Sequence, residues 1–123
     1  MISYVTIGTN DLERGAKFYD VVLGVLGATR AFETESFISW SVKPGGPMVS
    51  LNKPYDGKAA TVGNGTMVAL TASSPEQVDA VHKTALELGA QDEGAPGPRG
   101  TGGSYYCYFR DPDGNKVCAA YFG

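Results

Sequence analysis

Two spacings of hydrophobic residues follow one another along this chain, and the succession occurs twice. Residues 2–8 are a short run with β-branched members and read as a strand. Asn10-Asp11-Leu12-Glu13 then places an N-cap residue, Asn10, three positions before a Glu, a capping-box signature that opens a helix. Within that helix Leu12, Ala16, Tyr19, Leu23 and Leu26 recur at helical spacing, with Arg14, Lys17 and Asp20 between them, so one face belongs on a core and Gly27 ends it. Strand-like pieces follow at 28–32, 37–42 and 48–51, separated by polar turns, and 53–65 reads as a linker.

The pattern then restarts. Residues 66–71 form a strand, and Ser74-Pro75-Glu76-Gln77 supplies a cap, a Pro at the first helical position and a Gln that closes a capping box. Val78, Val81, Ala85 and Leu88 make the second stripe, which Gly89-Ala90 ends as Gly27-Ala28 ended the first. Residues 91–103 read mostly as loop. Residues 105–122 read as a β-hairpin, two aromatic-rich runs around Asp111-Pro112-Asp113-Gly114-Asn115. A symmetric loop would set Phe109 against Lys116 and Cys107 against Cys118, with both thiols on one face, whereas a one-residue bulge at Gly114 would break that pairing. The chain is thus a strand-helix-strands unit repeated at an offset of roughly half its length. Neither half can bury its sheet face alone, and two such units together leave a concave surface suited to a small ligand.

Composition narrows the picture further. A chain of 123 residues is one domain by size, and it is long enough for a real core. A net charge of −3 argues against nucleic acid or an anionic membrane as partner, because both demand a clustered positive field. No apolar stretch is long enough to span a bilayer, and the N-terminus lacks a basic-then-apolar leader pattern. Two cysteines, Cys107 and Cys118, make neither a disulfide framework nor zinc-type spacing, so a cytoplasmic location is expected.

Four motifs in register carry a family resemblance: the run Tyr4 to Arg14, Phe18-Tyr19-Asp20, Gly63-Asn64-Gly65-Thr66 and Asp111-Pro112-Asp113-Gly114-Asn115. With them the chain resembles, over essentially its whole length, the glyoxalase/bleomycin-resistance/dioxygenase group, the vicinal oxygen chelate superfamily. The resemblance implies an α+β fold of two βαβββ modules, about 1–56 and about 63–123, forming a cup-shaped eight-stranded mixed sheet in a single domain spanning 1–123. It also implies a homodimer. In metal-dependent members His, Gln or Glu side chains enter the cup from the first and last strands of each half. At the corresponding positions this chain has Tyr4, Ser50, Met67 and Cys118. These offer no carboxylate or imidazole, which hard cations and Ni²⁺ or Zn²⁺ prefer, so no metal and no other cofactor is expected.

The same four residues make an adaptable lining for a small-molecule ligand, against the plainer reading that they simply fill the cup. Trp40, Tyr105 and Cys107 join them as ligand-binding candidates. Tyr106, Tyr108 and Tyr121 read as sheet packing, with one or two lining the cup. His82, the only histidine, reads as a surface or packing residue, and Cys118 lacks an evident base, so no catalytic residue is assigned. Residues 94–103 are rich in Gly and Pro but lack a Gly-Lys-Ser/Thr end, so they form no phosphate cradle. They read as a rim in which Arg99 is a candidate for an anionic ligand, the alternative being a solvated loop. The functional expectation is a metal-independent small-molecule-binding member of the group; the alternatives are a metal-dependent lyase, isomerase or dioxygenase with non-standard ligands, and a structural dimer whose cup is filled.

Overall fold

In the computed structural model, which describes residues 1–123, eight strands and two helices follow in the order β1 (Tyr4–Gly8), α1 (Leu12–Val25), β2 (Thr29–Glu33), β3 (Phe37–Ser41), β4 (Met48–Asn52), β5 (Val68–Thr71), α2 (Pro75–Glu87), β6 (Gln91–Pro98), β7 (Tyr105–Arg110) and β8 (Lys116–Tyr121). The strands form two four-stranded sheets with orders β1-β4-β3-β2 and β5-β8-β7-β6. In each, the first and last strands of the module pair in parallel at one end, and the remaining pairs are antiparallel. The fold is therefore α+β, built from two βαβββ modules. Within one chain the eight strands do not join into a continuous sheet, because no strand of the first module is hydrogen-bonded to one of the second. No helix is long and apolar enough to cross a membrane.

Each helix lays its apolar stripe on one face of its sheet. Phe18, Tyr19, Val22 and Leu23 of α1 meet Ile7, Ile38, Trp40 and Leu51, and Val78, Val81 and Ala85 of α2 meet Leu70, Cys107, Phe109, Val117 and Ala119, all in one buried cluster. The helix α1 lies close on β4 at Gly15, where a Cβ would sit 2.6 Å from Leu51 Cδ2. Its N-cap is Asp11 rather than Asn10, and the Asp11 carboxylate accepts from the Arg14 N–H at 3.0 Å. Asn10 is engaged elsewhere, its side chain bonded to both the N–H and the carbonyl of Ala60. The second helix is capped by Ser74 as the sequence suggests, while Gln77 Oε1 accepts from Ser73 N–H and its Nε2 donates to Val25 O of the first module.

The hairpin loop joins the modules. Arg110 pairs with Lys116, leaving residues 111–115 as a five-residue loop with Gly114 at φ 92°. Asp111, which is buried, accepts from the N–H groups of Asp113 and Asn115, from Asn115 Nδ2, and from Tyr19 Oη of α1 at 2.6 Å. Asn115 Nδ2 also donates to Gly8 O, and the Asp113 carboxylate receives Thr9 Oγ1, Asn10 N–H and Arg14 Nη2. Phe18 and Phe109 add an edge-on ring contact, centroids 6.2 Å apart. Burial and the Asp111 carboxylate together push the Tyr19 hydroxyl far above its usual range.

Two expectations change. The loop follows the asymmetric alternative, so Cys107 faces Ala119 and Tyr108 faces Cys118, and the two thiols lie on opposite faces of the sheet. Residues 91–98, read as loop, are the edge strand β6, whose pairing with β7 is interrupted by two register shifts. Its glycines and prolines are tolerated because an edge strand leaves half its backbone groups unpaired.

Replacing Asp111 by Ala leaves the Tyr19 hydroxyl and two loop N–H groups without their acceptor, and chemical denaturation is expected to show a loss of roughly 3–5 kcal/mol. Tyr19→Phe removes one of those bonds and is expected to cost roughly 1–3 kcal/mol. A Tyr19→Phe protein as stable as the parent would show that the clasp does not hold the modules together.

Acid should also act through α1. Asp20 accepts from Arg30 Nε and Nη2 and from Trp40 Nε1 at 2.9 Å, and the Arg30 bond chiefly holds its carboxyl below the usual range against the opposing effect of burial. A carboxyl so lowered contributes stability above its unfolded pKa of about 4, and that contribution is lost as the pH falls through its folded value. Denaturation midpoints measured from neutral pH downward are expected to fall less steeply in Asp20→Asn than in the parent.

Candidate functional site

Strand alternation divides each sheet into a helix-covered face and an open face. In the first sheet the register Tyr4↔Met48, Thr6↔Ser50 and Ser39↔Ser50 gathers these residues on the open side, and the complementary set Val5, Ile7, Leu51, Ile38 and Trp40 faces α1. The open side carries a cleft of about 370 Å³ lined by Tyr4, Thr6, Phe32, Phe37, Ser39, Met48, Ser50 and Asn52. A short relay crosses its floor: Ser39 Oγ donates to Ser50 Oγ at 3.1 Å, and Ser50 Oγ donates to Asn52 Oδ1 at 2.6 Å.

In the second sheet the pairs Tyr108↔Cys118, Tyr106↔Ala120 and Ala69↔Cys118 define the open face. Met67, just ahead of β5, is exposed, and Cys118 lies buried beneath its neighbours. Tyr106 sits edge-on to both Tyr108 and Phe122, at centroid distances of 6.4 and 5.6 Å. Arg110 on the same face is paired with Glu93 at 2.6 Å.

Four of the seven candidates drawn from the sequence, Tyr4, Ser50, Met67 and Cys118, are in phase with the open sides, Tyr4 and Ser50 in one cleft, Cys118 on β8 of the other sheet and Met67 just ahead of its β5. The other three do not. Trp40 is buried under α1 with its Nε1 donating to Asp20, Tyr105 turns toward α2 and donates its hydroxyl to Asp79 at 2.7 Å, and Cys107 is fully buried beside the Val78 carbonyl. Alternation alone places them there: each is one residue out of phase with the open face. Thr6, Phe32, Phe37, Ser39, Asn52 and Lys116 were not singled out by sequence reasoning, although the same alternation, once register is known, selects all of them.

Burial pushes the Cys107 thiol up to about 11. It also raises Cys118, partly offset there by the positive charges of Arg99 and Lys116. Neither has a histidine beside it, since His82 is buried on α2 with Nε2 3.0 Å from the Asp92 carboxylate. The His82 bond, then the Gly94 N–H, hold Asp92 below the usual carboxylate range.

A resident metal is the cofactor that this fold suggests, and the donor set does not fit one. No three His, Cys, Asp or Glu side chains come together anywhere in the chain. The four positions in question supply a phenol, an alcohol, a thioether and a thiol, divided between the two modules. Hard divalent cations select carboxylates, and Ni²⁺ and Zn²⁺ select imidazole or thiolate sets.

Comparison with known proteins places this architecture. The family model described as the Glyoxalase/Bleomycin resistance protein/Dioxygenase superfamily matches residues 1–119. The chain belongs to that superfamily. Among solved structures, a glyoxalase/bleomycin resistance protein from Albidiferax ferrireducens T118 is 40% identical, with a TM-score of 0.92 over 100% of this chain and 99% of that one. A glyoxalase/bleomycin resistance protein/dioxygenase family enzyme from Burkholderia phytofirmans PsJN, 20% identical, superimposes with a TM-score of 0.77 over 98% of each chain. Lactoylglutathione lyase from Agrobacterium tumefaciens, 21% identical, does so at 0.73 over 98% of this chain and 92% of that one, and like the Burkholderia protein it shares the fold alone. No curated protein matches the sequence. Family membership thus fixes the scaffold and not the function.

Both thiols are expected to react slowly with a disulfide reagent such as Ellman's reagent at neutral pH, and denaturation should release two free thiols per chain. Stoichiometric labelling of the native protein within the mixing time would show that Cys118 is accessible and activated.

Proposed function

We propose that this superfamily member binds a small organic molecule without a metal, using the open faces of its two sheets. The observation that carries the reading is the contrast between the faces. The helix-covered sides are closed by a continuous apolar core, whereas the open sides expose aromatic rings, hydroxyls and a cleft that nothing in the chain fills. Aromatic rings around a floor of hydroxyls bind through stacking and a few oriented hydrogen bonds, with no need for a Lewis acid.

A second copy of the chain belongs to the same reading. Ile2, Tyr4, Phe32, Val42, Met67 and Phe122 are large apolar side chains left exposed. An apolar groove of about 550 Å³ runs between β1 and β5 and includes Ile2, Val5, Val49, Val68 and Leu70. Surfaces of this kind are covered in stable assemblies, and a second copy of the chain is the occupant assigned to them here. Sedimentation velocity is expected to report a dimer.

The decisive measurement is metal content, by elemental analysis of untagged protein incubated with Mn, Fe, Ni, Cu and Zn and then desalted. The expected result is no retained ion, together with a rise in melting temperature on adding aromatic small molecules, since a ligand that binds only the native state stabilises it. One tightly held ion per chain would overturn the metal-independent reading. A melting temperature that no member of a broad metabolite panel raises would overturn ligand binding itself.

A further inference from the structure

On the open face of the second sheet, two cations stand over one aromatic ring, and no carboxylate neutralises either. Arg99 Cζ lies 5.7 Å and Lys116 Nζ 5.5 Å from the centre of the Tyr108 ring. Every ion pair of the chain involves other groups, and Arg110, the third cation on this face, is the one that Glu93 engages.

The arrangement is held in place. Arg99 Nη2 donates to Ala95 O at 2.7 Å and Nη1 to Pro98 O at 3.2 Å, which fixes the guanidinium and leaves the rest of its five N–H groups free. Lys116 reaches Tyr108 diagonally from β8, where Cys118 is the residue directly opposite the ring. On β6 the residue opposite is Gly94, where a Cβ would stand 2.9 Å from Tyr108 Cδ2, so the ring lies against the strand backbone. Tyr106 and Phe122 continue the aromatic surface beyond Tyr108.

Two like charges near one ring repel each other, and the ring quadrupole offsets only part of that cost. An anion placed beside them offsets their charge and gains charge-assisted hydrogen bonds, bidentate ones where it meets the guanidinium fork. Beside it, Tyr106 stands at 87° to Tyr108 and 72° to Phe122, so the aromatic group offers both ring faces and ring edges against which a planar body can pack.

We propose that this face binds a small aromatic carboxylate, its carboxylate held by Arg99 and Lys116 and its ring packed against Tyr108, Tyr106 and Phe122. This rests on the ligand-binding reading above and gives it a substrate class. It also specifies charge: a neutral analogue loses the polar half of the site, and a cationic one is repelled.

Isothermal titration of the full-length protein with 2-naphthoate and 2-naphthamide tests the proposal, on the parent, Arg99→Gln, Lys116→Gln and the double variant. Naphthoate is expected to bind the parent about tenfold or more tightly than the amide, the gain typical of charge-assisted bonds. Each single variant should lose part of that preference and the double variant all of it. Equal binding of the two compounds by the parent would overturn the anion assignment while leaving the ligand-binding reading intact. No binding of either would overturn both. A preference that survives in the double variant would show that other groups hold the carboxylate.

Discussion

A single buried carboxylate, Asp111, sets both the shape of the closing hairpin and the docking of one module on the other. Its oxygens accept from two backbone N–H groups and one amide of its own loop, and from the Tyr19 hydroxyl of α1. A carboxylate taken out of water needs several donors to remain tolerable, and the loop conformation that supplies three of them also presents the fourth lone-pair direction to the other module. Asp113, two residues on, completes the joint at the start of α1, where Arg14 and the exposed amide of Asn10 favour a negative charge. Turn geometry and module docking are therefore one equilibrium.

From that loop follows the identity of everything on the second sheet. Five residues between Arg110 and Lys116 bring the even-numbered members of β7 and β8 to one face and the odd-numbered ones to the other. Cys107, Phe109, Val117 and Ala119 pass under α2, and Tyr106, Tyr108, Lys116 and Cys118 pass to the open side. A two-residue loop would shift one strand by a single position and exchange core for surface along its length. The core thus enforces the register, and the register decides which side chains are available to a ligand.

The sequence made the architecture legible through signals that are local: two helical stripes, two caps near the expected positions, Gly27 and Gly89 at the helix ends, and the turn chemistry of Asp111 to Asn115. The site was only half legible, because membership of a face depends on pairing across strands. Trp40, Tyr105 and Cys107 carry side chains suited to a pocket, and chemistry alone could not show that each sits out of phase with it. Asn10 was the natural cap by residue type, yet the link to Ala60, fifty residues away, claimed its side chain and moved the cap to Asp11. In each case a partner distant in sequence overrode a sound local preference.

The strand that local reasoning missed is the most instructive. Gln91–Pro98 has two glycines and two prolines in eight residues, a composition that opposes strand formation by backbone entropy and by loss of donors. At a sheet edge those costs are small, and the same composition does something a regular strand could not. With no Cβ at Gly94, the Tyr108 ring settles against the backbone of β6 instead of standing away from it. The irregular end of the strand turns Arg99 back over its own carbonyls at Ala95 and Pro98, which points the guanidinium across that ring. A β-branched residue at Gly94 would strengthen the strand and displace the tyrosine, so the low strand propensity of β6 is part of how the open face is built.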